Sequence, residues 1–172
     1  MTQLNKEDTI AFWGHRSGEF AFLSNFFPHE MEISILGRRR FFSSSEHAYM
    51  HQKAVFFGDH ETAQKIEEAE TPREAKVLGR QVRDFDADKW ASYAGVAMMT
   101  VLCHKFREEM GRKLLDTGEK TLIEASPNDI IWGVGLDASD ENIYNTEKWR
   151  GKNELGNCLM AVRSLLQHGV IE

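Results

Sequence analysis

The stretch from Phe41 to Phe57, FFSSSEHAYMHQKAVFF, constrains this chain more than any other, because it joins a helix-start signal to a stripe of ionisable residues. Ser43 with Glu46 three residues on fits the capping box, in which the serine accepts a backbone N–H and the glutamate reaches back to the N-cap N–H. A helix is predicted to begin near Ser44. Glu46, Tyr49, Met50, Lys53 and Phe57 then recur at helical spacings, and at about 100° per residue they share one face. A face meant only for burial is apolar, since an unpaired buried charge is strongly disfavoured. Glu46 and Lys53 lie about 10.5 Å apart along the axis. The lysine leans back toward the helix N-terminus, so both can reach one small ligand. The plainer reading makes Glu46 a capping carboxylate and lets Lys53 snorkel to water over the apolar stripe.

With 172 residues, 41% of them hydrophobic, the chain is long enough for one domain with a proper core and short for two. A single domain over 1–172 is expected. The net charge of −6 argues against a general nucleic-acid binder, although a local basic patch stays open. Cys103 and Cys158 are far apart and outside any CxxC pattern, which predicts neither a disulfide framework nor a zinc cluster and fits a reducing cytoplasm. The N-terminal MTQLNKEDTIAFW has no apolar core of signal-peptide length, and no apolar run is long enough to span a bilayer. Neither secretion nor membrane insertion is expected.

Taken in order, residues Thr9 to Trp13 predict a short strand, and Gly14 to Glu19 a polar turn. In FAFLSNFFPHE the aromatics Phe20, Phe22, Phe26 and Phe27 suit a core. Ser24 and Asn25 among them are compact hydrogen-bonding groups beside stacking rings, as in a nucleobase or ribose pocket, and both readings stand. Met31, Ile33 and Ile35 alternate with Glu32, Ser34 and Leu36 before Gly37, and Arg38 to Phe42 returns, which predicts a β-hairpin. Its RRR run reads as a solvated edge, with a phosphate contact as the minority reading. Asp59 can cap a helix through Glu68, whose acidic face is solvated, and TPRE at Thr71 to Glu74 caps another, with Gly79 as its C′ residue. Asp86 or Asp88 can cap the longest helical pattern, in which Trp90, Tyr93, Ala94, Ala97, Met98, Val101, Leu102 and Phe106 form a core stripe. Trp90, in the first turn, can face a ligand as easily as the interior. Lys113 to Leu115 predicts a short helix, and Thr121 to Glu124 a strand. SPNDIIWGVG, Ser126 to Gly135, is a turn and a short apolar run whose glycines let backbone approach a ligand. The polar loop from Leu136 to Lys148 has a length that compact domains reserve for function or mobility. From Gly151 to Gln167 a terminal helix turns Leu155, Leu159, Val162, Leu165 and Leu166 inward.

Several chemistries fail on spacing. His47 and His51 are four apart, but Glu46 precedes them where HExxH places its glutamate after the first histidine, and no third ligand follows; no metal is expected. Cys103 and His104 are adjacent on a helix and do not face each other. No GxSxG, GxGxxG or GxxxxGK[ST] is present, which removes the hydrolase elbow and the dinucleotide and P-loop fingerprints. Carboxylate and amine chemistry centred on Glu46 and Lys53 remains.

The segments LSNF (Leu23 to Phe26), SSSEHAYMHQKA (Ser43 to Ala54), FGD (Phe57 to Asp59), LGR (Leu78 to Arg80), Trp90, KF (Lys105-Phe106), EASPNDIIWGVGL (Glu124 to Leu136) and WRGKNELGNCLMAVR (Trp149 to Arg163) together resemble the NADAR family, the YbiA-like N-glycosidases. The resemblance spans nearly the whole chain. It implies an α+β, mainly helical domain with a small β-sheet or hairpin. It further implies hydrolysis of N-glycosidic bonds to ribose, in one branch those of the phosphoribosylamino-pyrimidine intermediates of riboflavin synthesis and in others those of ADP-ribose on guanine in DNA. Glu46 and Lys53 are then the catalytic residues, with Ser24, Asn25, Phe26, Tyr49, Trp90, Asp129, Trp132, Gly133 and Asn153 around the substrate. The segment between WGVG and GKNELG is longer here than in the YbiA branch, and the branches differ in substrate. The implied partner is a small ribosylamine phosphate or an ADP-ribosyl group, with DNA entering only as modified substrate. No cofactor and no membrane are implied, and the expected compartment is the cytoplasm. A binding module that recognises ADP-ribose without turnover is the competing class.

Overall fold

The computed structural model describes residues 2–16, 18–35 and 37–171. Among these the strands are β1 (Thr9–Phe12), β2 (Met31–Ile35), β3 (Arg38–Phe42) and β4 (Thr121–Glu124). The helices are α1 (Ser45–Phe56), α2 (His60–Glu67), α3 (Pro72–Gly79), α4 (Ala87–Lys105), α5 (Glu108–Leu115) and α6 (Glu154–Gln167). This is a mixed α+β, mainly helical fold, and no helix among the described residues is long and apolar enough to cross a membrane. The chain gathers into two compact units: the middle, residues 25–105, and the two ends, residues up to 24 with those from 106 on.

In the middle unit β2 and β3 form the predicted antiparallel hairpin, with Met31 opposite Phe42 and Ile35 opposite Arg38. Met31, Ile33 and Phe42 face inward and are buried; Leu36, assigned to the outward set, lies outside the described residues. α2, α3 and α4 start where their capping residues say. Asp59 accepts the Thr62 N–H at 3.2 Å and also binds Arg83, which holds the carboxyl well below the ordinary aspartate range. Thr71 accepts the Glu74 N–H at 3.1 Å, and Asp86 accepts that of Lys89 at 3.0 Å. Gly79 is a correction: it is the last residue of α3 and not a left-handed C′. Its missing Cβ makes room for α1, because a methyl there would fall 2.2 Å from Met50 Sδ.

In the end unit β1 pairs with β4 in parallel, Thr9 opposite Thr121 and Phe12 opposite Glu124. The 3₁₀ turn Ala21–Leu23 carries buried Phe22, whose ring meets Phe106 edge-on. α5 begins at Glu108, earlier than the pattern around Lys113 suggests. α6 buries Leu155, Leu159 and Val162 as predicted, while Leu165 and Leu166 are half-buried. The polar loop after Leu136 is part of the structure. Leu136 and Ile143 join Ile123, Ala125 and Val134 in a core cluster, and Trp149 Nε1 donates to the Ile143 carbonyl at 2.9 Å.

Candidate active site

The start of α1 decides what Glu46 is for. The N-cap is Ser44, which accepts the His47 N–H at 3.2 Å, and Ser43 instead meets His47 Nδ1 at 3.2 Å. The helix therefore begins one residue later than the Ser43–Glu46 capping box requires. Glu46 falls in the first turn without the box geometry, and its own N–H donates to the Asn25 carbonyl at 2.9 Å. Its side chain is 7% exposed and lies 3.6 Å from Lys76 Nζ. The helix N-terminus and this lysine both favour a negative charge there.

Lys53, two turns on, is half-buried. Its Nζ donates to the Gly79 carbonyl at 2.8 Å and sits 4.0 Å over the Phe85 ring. Burial lowers its pKa from the ordinary lysine value and the charge of Arg80 lowers it further, with Glu46 opposing. Lys76 Nζ lies 5.1 Å over the Phe26 ring. Lys76 thus lies between Glu46 and the Phe26 ring, and Lys53 lies against Phe85 within reach of the Arg80 charge. Lys76 and Phe85 escaped the sequence reading, and Arg80 entered only as part of the LGR resemblance. The detectable signal was Lys76 near the end of a short helix next to the candidate one, with Arg80 at that helix's C-cap.

Other residues of the middle unit divide. Asn25 is 7% exposed; its Nδ2 reaches Met98 Sδ at 3.5 Å, and its buried Oδ1 has no hydrogen-bond partner among the described residues. That oxygen can receive a ligand hydroxyl or amine. Tyr49 is buried with its ring 5.3 Å from that of Trp90. Trp90, open to either role in the sequence, is also surrounded by Phe56, Phe57 and Tyr93 within 6.3 Å and serves the packing of this cluster.

The end unit collects Ser24, Asp129, Trp132, Gly133 and Asn153. Ser24 is buried after the 3₁₀ turn. The other four build one junction. Asp129 Oδ1 accepts the N–H groups of Ile131 and Trp132 at 2.9 and 2.8 Å, which folds the loop. Carbonyls of residues 130–133 then accept the N–H groups of residues 152–155, which lead into α6, including Leu155 to Trp132 at 3.0 Å. A Cβ on Gly133 would meet Ser126 Cβ at 2.9 Å. Asn153, with φ of 57°, spends its side chain on β4: Oδ1 accepts from Glu124 N and Nδ2 donates to the Leu122 carbonyl, each at 2.9 Å. In this structure these residues hold α6 against β4. Among the described residues no cluster of His, Cys, Asp or Glu is arranged to hold a metal ion.

Residues 11–167 match the family model described as the NADAR domain. An N-glycosidase of Acanthamoeba polyphaga mimivirus is 39% identical over 122 residues, 70% of this chain and 72% of that protein. A riboflavin biosynthesis protein of Vibrio vulnificus is 32% identical over 148 residues, 85% of this chain but 35% of that longer protein. The NMR structure of the E. coli protein YbiA superposes with a TM-score of 0.75 at 28% identity, covering 98% of this chain and 90% of that one.

Proposed function

Because this chain belongs to the NADAR domain family, whose relatives here include named N-glycosidases, we propose that it hydrolyses the N-ribosidic bond of phosphoribosylamino-pyrimidine intermediates of riboflavin synthesis, releasing ribose 5-phosphate. The observation that carries the reading is the pair on α1: a buried Glu46 in the first turn beside Lys76, and Lys53 with a lowered pKa two turns away. A pure binding pocket needs neither. The riboflavin branch is favoured by the name of the Vibrio vulnificus relative.

The chemistry follows from the residues. Opening the ribosylamine ring gives an imine-like C1′, and the neutral Lys53 amine adds to it. The Glu46 carboxylate relays the two protons of the added lysine nitrogen to the aminopyrimidine nitrogen as the C1′–N bond breaks, and a lysine Schiff base remains. Water adds to that carbon as the Glu46 carboxylate accepts its proton, and C1′ leaves lysine as the aldehyde of ribose 5-phosphate. Lys76 and Arg80 supply charge for the phosphate, and the rings of Phe26 and Phe85 supply faces for base or sugar.

The test is product analysis of the wild type, Glu46→Gln and Lys53→Ala on the phosphoribosylaminopyrimidine, with borohydride added to trap a Schiff base. Ribose 5-phosphate from the wild type alone, and a trapped adduct that requires Lys53, support the proposal. Release of ADP-ribose from guanine-modified DNA instead would move the chain to the other branch. Turnover of neither would favour a non-catalytic ADP-ribose binder.

A further inference from the structure

Three groups act on Lys53 from outside α1: the Gly79 carbonyl that accepts from its Nζ, the Arg80 charge and the Phe85 ring. All three belong to one stretch, residues 79–85, at the end of α3 and in its connection to α4. Residues 80–86 form neither helix nor strand, so other bonds must fix where Arg80 and Phe85 sit.

Those bonds run to Asp59. Its Oδ2 accepts the Arg83 backbone N–H at 2.9 Å, and its Oδ1 accepts from Arg83 Nη2 at 2.7 Å and from Nε at 3.2 Å. Asp59 is 3% exposed, and its own N–H donates to the Ala54 carbonyl at 2.9 Å, one residue beyond Lys53 on α1. One carboxylate thus couples the helix that carries Lys53 to the connection that covers it. Capping α2 does not require this, because the Thr62 N–H uses Oδ1 alone, at 3.2 Å, and a neutral cap serves as well. Two residues after Arg83 the Phe85 ring meets that of Phe57 at 5.4 Å, with Asp84 between them at a φ of 53°. A non-glycine residue keeps that left-handed backbone only where its neighbours hold it. Here the neighbours are Arg83, bound to Asp59, and Phe85, packed on Phe57 and Lys53.

We propose that Asp59 and Arg83 are positioning residues for Lys53: their bonds hold the connection so that Phe85 covers the amine and the Arg80 charge stays within reach of it. The inference rests on the reading of Lys53 as the nucleophile. Arg80 lowers the Lys53 pKa and Glu46 raises it, while Lys76 turns to Glu46, Asp84 to Arg83 and Asp86 to Lys89. The Gly79 carbonyl and the Phe85 face favour the ammonium form, but burial outweighs them, since the pKa stands below the ordinary lysine value. Releasing the connection lets water reach the amine and moves Arg80 away, and both raise the pKa. A direct charge effect has the other sign, because losing the Asp59 anion disfavours the ammonium form.

The test compares the full wild-type chain with Asp59→Asn and Arg83→Lys. The first substitution keeps a capping oxygen but sets a donor against the Arg83 N–H; the second keeps the charge and loses the fork. The Lys53 Cε resonance, assigned with Lys53→Arg, is followed by carbon NMR through pH without substrate, and kcat/KM is followed on the phosphoribosylaminopyrimidine. Asp59→Asn is expected to raise the Lys53 midpoint by about one pH unit, which lowers kcat about tenfold below the midpoint, leaves KM in place and regains the wild-type rate at high pH. Arg83→Lys should shift both readouts the same way by a smaller step. Because the Arg83 side chain is 63% exposed, this variant melts close to the wild type and carries the test even if Asp59→Asn unfolds. A rate loss equal at every pH, a midpoint that stays in place, or one that falls in Asp59→Asn as charge alone dictates would overturn the proposal. A raised midpoint in a chain that turns over no substrate supports the positioning of the amine and sinks the reading of Lys53 as nucleophile.

Discussion

Lys53 is the residue whose environment makes the sharpest demand on chemistry. Its burial and the charge of Arg80 both lower its pKa, so the amine becomes neutral below the ordinary lysine range. An enzyme that needs the free amine gains kcat/KM as pH rises through that value. Removing one of the two causes in Arg80→Gln should move this limb toward higher pH, and a pH–rate profile that stays in place would rule Lys53 out as the group responsible. Asn25 carries a different tension, a buried acceptor with no partner among the described residues. Such an atom costs about 1–3 kcal/mol, so Asn25→Leu is expected to keep or raise the melting temperature while KM rises several-fold. A variant that melts lower and turns over normally would make Asn25 structural. Glu46 and Lys53 were legible in the sequence because one helix repeats them on one face. Lys76, Arg80 and Phe85 were not, because other segments deliver them, and local periodicity carries no information about which segments meet.

Among the elements, two glycines show how close packing sets tolerance. A Cβ on Gly156 would sit 2.2 Å from the Leu122 carbonyl oxygen and against Asn153, all held by α6 and β4. On Gly79 the obstacle at the same distance is the Met50 sulfur, the end of a flexible side chain. Gly156→Ala should cost about 3 kcal/mol and Gly79→Ala about 1 kcal/mol, read by denaturant melts; the reverse order would contradict this packing. His51 links α1, α2 and β3 through Glu67 and Phe42, and its pKa falls from 6.5 to about 4 on folding. Between these values the unfolded chain binds the proton and the folded one does not, so stability is complete above pH 6.5 and falls as pH falls toward 4. The contribution is on the order of 3 kcal/mol. His51→Gln should flatten the stability curve over that window, and an unchanged slope would place the acid sensitivity elsewhere. At this scale the sequence was readable wherever a side chain caps its own helix, as Asp59, Thr71 and Asp86 do. It misled by one residue at α1, where three serines in a row offer equivalent caps and only packing selects Ser44.

For the whole molecule, the pairing of β1 with β4 decides the end unit, because Thr9–Phe12 and Thr121–Glu124, far apart in sequence, must meet before either strand has a partner. Deleting residues 1–12 removes the Ile10 side of that pair and leaves Leu122 and Ile123 without their partner strand. The truncated chain is expected to lose its cooperative thermal transition by circular dichroism, and a melt within a few degrees of full length would show β4 to be self-sufficient. What the sequence determined by itself were local matters: the hairpin at Gly37, the helix starts, the core stripe of α4, and the acid and lysine on one face of α1. Each is written in residues within about two turns of one another, where backbone geometry alone fixes which side chains are neighbours. Tertiary structure decided the parallel strand pair, the burial of the loop after Leu136, the use of Asn153 to tie α6 to β4, and the cations and rings that surround Glu46. These depend on which distant surfaces pack together, and that choice is made by the sum of many weak burial terms over the whole chain, not by any short pattern within it.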